Sequence, residues 1–155
     1  MKTLTIQIPE GFKVESFDET SGTVKLAPLP KDIRERVKTV THAVEILGYE
    51  DTDVKDYFAM VSAGLQDHIL GNQELVIIAK ALNEGWTPDW HNVKWDKWFN
   101  WFNTSSSSSG RFSFFGSDDR DSSSNCGSRL CFKSKELAQY AATQFLDIYQ
   151  KTFTI

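Results

Sequence analysis

Cysteine, histidine and proline are scarce in this chain, and it has no long apolar run. Cys126 and Cys131 are the only cysteines, and His42, His68 and His91 lie far apart. Neither CxxC nor HxxxH spacing occurs, so no zinc site is expected. CGSRLC reads as a strand, in which side chains five residues apart point to opposite faces. That reading predicts unpaired thiols and indifference to reducing agents. The phosphate-cradling GxGxxG and GxxxxGK[ST], the nucleophile elbow GxSxG and the zinc helix HExxH are all missing. His91 follows Trp90 without a nucleophile or carboxylate fixed beside it, so it reads as a surface or hydrogen-bonded histidine. No stretch approaches the ~20 apolar residues of a membrane span. The opening MKTLTIQIPEGF has neither the apolar core nor the cleavage site of a secretory signal. These absences predict a non-enzymatic cytoplasmic protein with no cofactor, metal or membrane contact, and leave association with a virion open.

Positive charge is also short, with 17 basic against 21 acidic residues and a net charge of −4. That balance argues against a protein that coats duplex DNA. The deficit sits in one half: residues 1–85 hold 9 basic and 14 acidic side chains, residues 86–155 hold 8 and 7. At 155 residues the chain suits one domain with a small appendage, large enough to fold without metal or disulfide.

The pattern predicts an α+β fold: an N-terminal β-hairpin module over 1–27, then an α+β domain over 28–155. In the first part TLTIQI at 3–8 alternates as a strand, and FKVESF and TVKLAP form a hairpin across Asp18–Gly22. Phe12, Val14, Val24 and Leu26 give it an apolar face. Such a hairpin is marginal alone, so it is expected to pair in a homo-oligomer or to lie against a larger component. The helical middle follows. Ile33, Val37, Val40, Val44 and Leu47 mark 31–47, split near 38–41 with Thr41 as a cap. Val54, Tyr57, Phe58 and Val61 mark 53–62. Helix 65–84 carries Leu65, Ile69, Leu75, Ile78, Ala79 and Leu82 as its buried stripe. Helix 135–151 starts at the cap Ser134 and buries Phe145, Ile148 and Tyr149. Between them RFSFF and SRLCF read as a small antiparallel sheet closing a polar loop at 116–127. The serine run 104–109 reads as a flexible linker.

At LNEGWTPDW, with CGSRLCFKSKELAQYAATQF about forty residues later, the sequence resembles a small protein recurrent in Bacteroidetes phages and prophages. Those relatives carry similar NEGW-PDW and GSRLCFKS blocks around a stretch of variable sequence. The resemblance covers about 75–150 and implies phage or prophage origin and expression inside a bacterial host. It carries no catalytic residue across. The segment IPEGFKVESFDETSGTVKL resembles a hairpin module that opens several unrelated phage proteins. An aromatic strand, a polar loop and a terminal GSRLCF strand also resemble the end of C-type-lectin-like variable domains, whose loop is a binding surface. The helix expected after that last strand departs from the lectin-like pattern.

All five tryptophans fall between 86 and 101, in WTPDWHNVKWDKWFNWF. Packing in the core is the plain expectation for most of them, with Trp98, Trp101 and Phe102 on a helical turn. Trp86 and Trp90 flank the rigid Pro88-Asp89, so one or two indoles are expected to stay accessible. The first functional reading is a phage-encoded accessory protein that binds a protein or carbohydrate through the aromatic and serine-rich surface 86–128. Its expected site residues are Trp86, Trp90, Trp95, Trp98, Arg111, Asp118, Asp119, Arg120 and Arg129. The alternative is a nucleotide or single-stranded nucleic acid binder, including a protein that sequesters a host signalling nucleotide. Its indoles would stack on bases, with Lys94, Lys97, Arg111, Arg120 and Arg129 on phosphate. A third reading gives Asp118, Asp119 and Asp121 a catalytic or metal role, but DDRD lacks the glycine turn and distal glutamate of a calcium loop.

Overall fold

In the computed structural model, residues 6–9, 11–28, 32–104, 112–124 and 126–154 are described. The chain forms two compact units, residues 1–32 and 33–155. Its fold is α+β, with two antiparallel hairpin sheets and six helices among the described residues.

The first unit is the expected hairpin, β1 (Phe12–Asp18) with β2 (Thr23–Pro28). Asp18 holds the turn by accepting the backbone N–H of Thr20 at 2.9 Å and the Ser21 hydroxyl at 2.7 Å. The register shifts at Glu15, between the pairs Val14–Leu26 and Ser16–Lys25. This bulge sets Phe12, Val14 and Phe17 opposite Pro28, Leu26 and Val24. Alternation puts those three β2 residues on one face, so the bulge adds Phe17 to the expected apolar strip. Phe12, Val14, Phe17 and Leu26 are exposed. Residues 6–8 of the expected first strand are irregular, and the rest of it lies outside the described residues.

The second unit begins with α1 (Ile33–Arg36), α2 (Val40–Leu47) and α3 (Thr52–Ser62). The expected split at 38–41 is present, but Thr39 and not Thr41 is the cap. Its hydroxyl accepts the His42 N–H at 3.2 Å, which only the residue before the first turn can do. On α3 only Val54 is fully buried, while Phe58 and Val61 are exposed. Helix α4 (Asp67–Asn83) is the central element, buried without interruption from Gln73 to Ala79. Leu65 and Ile69, expected in its stripe, are exposed instead; Gly64, at φ 68°, ends the preceding helix and α4 starts only at Asp67. Leu75, Ile78, Leu82, Phe145 and Ile148 are buried in one core cluster, as expected.

The C-terminal helix is two helices, α5 (Lys135–Gln144) and α6 (Leu146–Phe153), broken at Phe145. Ser134 caps α5, accepting the Leu137 N–H. Gly71 lets α6 approach α4, because a Cβ there would lie 2.5 Å from the Thr152 hydroxyl. The second sheet differs most from expectation. The tryptophan segment is itself a strand, β3 (Lys97–Asn103), paired with β4 (Ser113–Arg120). Tryptophan and phenylalanine favour a pleated strand, and their pairs at 98–99 and 101–102 line both faces of β3 in place of the helical turn expected for Trp98–Phe102. SRLCF is no strand: Ser128–Leu130 make a 3-10 turn, and only Phe132 bridges to Trp98. Residues 116–120 therefore belong to β4, and the polar loop begins at Asp121. The expected serine linker falls, except for Thr104, outside the described residues.

Candidate functional site

Helix α4 ends at Asn83, with Glu84 and Gly85 both at positive φ, and this reversal starts the tryptophan segment. Trp86 follows it, its N–H bonded to the Asn83 carbonyl at 3.0 Å. The chain then runs through turns at Asp89 and Asn92, whose carboxylate and amide oxygens accept backbone N–H groups two residues on. It enters β3 at Lys97. Trp98, Asn100 and Phe102 face helices α5 and α6, with Asn100 donating to the Ala138 carbonyl at 2.9 Å and Phe102 against Tyr149.

This path brings Trp86, Trp95 and Trp98 to one groove of about 620 Å³, whose other wall is the start of α5. The Trp86 and Trp95 rings are 6.3 Å apart, and the Lys135 ammonium sits 5.5 Å from the Trp98 ring. Lys94, Asp96, Lys133 and Glu136 complete the charged rim. None of the five tryptophans is fully buried, and Trp95 and Trp101 are 44% and 45% exposed. Trp98 packs against the core cluster, Trp86 and Trp90 are half-buried, and the two exposed indoles match the one or two expected to stay accessible.

The other expected site residues that are described do not line this groove. The Trp90 indole donates to the Ser128 hydroxyl at 2.7 Å, and its ring lies 5.6 Å from the Lys97 ammonium. Asp118 and Arg120 are β4 residues paired with each other at 2.9 Å, and Asp119 stands opposite Trp98 in the register. The backbone N–H of Asp119, with Arg120 beside it, holds the Asp118 carboxyl below its ordinary range. Arg129 pairs with Asp53 at 2.8 Å beside a separate cavity of about 240 Å³, which Trp86, Thr87 and Pro88 also line. Arg111 lies outside the described residues. Lys97, expected on phosphate, is 0% exposed and donates to the carbonyls of Asn92 at 2.8 Å and Asp121 at 2.6 Å. It anchors the chain and cannot reach a ligand.

The structure adds residues that the sequence reading passed over: Asp96, Lys133, Lys135 and Glu136. The signal of the last three was present in FKSKE, where two lysines flank the helix cap Ser134. A third aromatic feature is the outer surface of the sheet, where exposed Trp101 and Phe115 flank a shallow depression with Ser117 and Asp118.

The thiols also differ from expectation. CGSRLC is a turn, so Cys126 and Cys131 do not point apart; their sulfurs lie 3.8 Å from each other, both as free thiols. Among the described residues no helix is long and apolar enough to cross a membrane, and no three His, Cys, Asp or Glu side chains cluster to hold a metal ion. In comparison with family models, curated proteins and solved structures, the chain matches none of them.

Proposed function

We propose that the protein is a non-enzymatic binding module whose site is the groove between the tryptophan segment and the start of α5. One observation carries this reading: three indoles share a groove with three ammonium and two carboxylate groups. Indole faces take up the apolar side of a flat ring at small entropy cost, and the mixed rim supplies donors and acceptors for its polar groups. Near-balanced charge suits a neutral polar ligand, and a carbohydrate chain has that chemistry. The NEGW-PDW and GSRLCFKS blocks support an accessory protein encoded by a phage or prophage and acting inside its host.

A nucleotide is the second reading, favoured by the excess of one ammonium in the rim. Tryptophan fluorescence titrations with oligosaccharides and with nucleotides, at low and high salt, separate the two. A sugar complex keeps its affinity as salt rises, whereas phosphate contacts weaken steeply. In either case Trp95→Ala and Trp98→Ala should each weaken binding at least about tenfold, as loss of an aromatic anchor does. Unchanged binding in both variants rejects the groove.

The exposed apolar strip of the β1–β2 hairpin supports a further part of this reading, self-association through that face. Sedimentation of Phe17→Asp beside the unaltered protein tests it. A monomer in both cases rejects the interface.

A further inference from the structure

Cys126 and Cys131 stand at the two ends of a tight turn. Gly127, at φ 70°, redirects the chain into the 3-10 turn Ser128–Leu130, which brings Cys131 back beside Cys126. The two sulfurs lie 3.8 Å apart, in van der Waals contact, which brings the roughly 2.05 Å of a disulfide within reach of the pair. Cys126 is half-buried and Cys131 fully buried. The Ser124 hydroxyl lies 3.5 Å from Cys126 Sγ and 3.8 Å from Cys131 Sγ, and the Cys131 thiol donates to the Gly127 carbonyl at 3.1 Å. One reachable sulfur backed by one sheltered sulfur is the arrangement that thiol–disulfide exchange requires.

We propose that Cys126 and Cys131 are a redox-active dithiol that exchanges with low-molecular-weight disulfides such as glutathione disulfide. In the first step the Cys126 thiolate attacks one sulfur of glutathione disulfide. A bond forms between protein and glutathione sulfur, the glutathione S–S bond breaks, and one glutathione thiolate leaves and takes a proton from water. In the second step Cys131 loses its proton to solvent and attacks Cys126 Sγ, expelling the second glutathione. The protein loses two protons and two electrons, and one glutathione disulfide becomes two glutathiones.

The surroundings order these roles. The Cys131 thiol can turn its one proton from the Gly127 carbonyl to an ionised Cys126, and that hydrogen bond, helped by Ser124 against the effect of burial, lowers Cys126 to about 7. Cys131 is pushed up, by its bond to Cys126 first, then by burial and by the Cys126 charge. A mixed disulfide on Cys126 removes both contributions of Cys126, so the first step prepares the second. The ammonium of buried Lys97 also favours the Cys131 thiolate. Tyr149, raised by burial, feels the Cys126 charge but stays protonated. The closed ring would contain Ser128, which holds the Trp90 indole, and Arg129, which holds Asp53.

Incubation of the reduced protein with glutathione disulfide, followed by intact mass and alkylation, tests the proposal. The expected product has lost two hydrogens, carries no glutathione and resists alkylation. The rate should rise with pH through an inflection near 7, against about 8.5 for an ordinary thiol. Cys131→Ala should stop at the mixed disulfide, and Cys126→Ser should react at least about tenfold more slowly. The wild-type product and pH profile decide the matter even where a variant folds poorly. A stable glutathione adduct on the wild-type protein, or an inflection at the ordinary thiol value, overturns the proposal.

Discussion

Asn83 is joined to Cys131 across 48 residues of sequence: its side-chain amide donates to the Cys131 carbonyl at 2.8 Å, and its carbonyl oxygen accepts the Lys133 N–H at 3.0 Å. Both bonds are sheltered, since Asn83 is buried. The adjacent Glu84 adds an ion pair to the Lys133 ammonium at 3.1 Å. LNEGW and RLCFKS therefore meet in space, and Asn83 ties together the two walls of the groove: Trp86 on one side, Lys133 to Glu136 on the other.

Removing that side chain should unfasten both walls. Asn83→Ala leaves a buried carbonyl and a partly buried N–H without partners, at roughly 1–3 kcal/mol for each orphaned group. Urea unfolding should show a loss of about 2–6 kcal/mol on that basis. Stability within about 0.5 kcal/mol of wild type, the range of surface changes, would mean that water replaces both bonds.

The helices were legible because their signals are local: a stripe in α4, a serine before α5, a glycine after α2. Sheet pairing was not, because a strand's partner is chosen by contacts distant in sequence. SRLCF has the composition of a strand, but Gly127 and the Asn83 clamp shape it into a turn, and β4 pairs with the tryptophan segment instead. The same error hid the dithiol, since residues five apart diverge in a strand and converge around a turn. Three of the four expected tryptophans do share a groove. Of the charged residues expected beside them, Lys94 lines the groove, whereas Arg120, Arg129 and Lys97 have partners inside the protein. Composition shows a cation and not its occupation.

The polar segment divides at Arg120. Asp118, Asp119 and Arg120 pair with Phe99, Trp98 and Lys97 in the sheet, whereas 121–124 are exposed. Replacing 121–123 with glycine and serine, and keeping Ser124, whose hydroxyl accepts the N–H groups of Cys126 and Gly127, should leave stability within about 0.5 kcal/mol, because Lys97 bonds the backbone carbonyl at 121 and not its side chain. Glycine at 118–120 should cost more, about 0.5–1 kcal/mol per residue, through loss of strand propensity. Thermal unfolding of the two replacements decides. Equal effects would show that β4 ends before Asp118.

Lys80 on α4 holds the start of α3 by bonding two carboxylates, Asp51 at 2.8 Å and Asp53 at 2.6 Å. Asp51 also caps α3, and Asp53 continues the chain of charges to Arg129. Burial alone would raise the Asp51 carboxyl, but the Lys80 hydrogen bond and charge, with the N–H groups of Asp53 and Val54, bring it below its ordinary 3.8. Burial likewise opposes the Lys80 charge, and the bonds to Asp51 and Asp53 outweigh it, raising Lys80 above 10.5. A lowered carboxyl stabilises the fold above its unfolded value and loses that contribution as pH falls through its folded value. A raised ammonium contributes fully below its unfolded value and loses it as pH rises through the folded one. The network should therefore stabilise the protein most between about pH 4 and 10, and fade on both sides. Lys80→Met keeps the length of the side chain and removes its charge, so it should lower the melting temperature across that plateau. The gap between wild type and variant should shrink below pH 3.8 and again above pH 10.5. Added salt should narrow it only in part, since both carboxylates are largely sheltered while the ammonium is half exposed. A gap that stays constant from pH 2 to 11 would assign the effect of Lys80→Met to packing and leave the ion network without a role in stability.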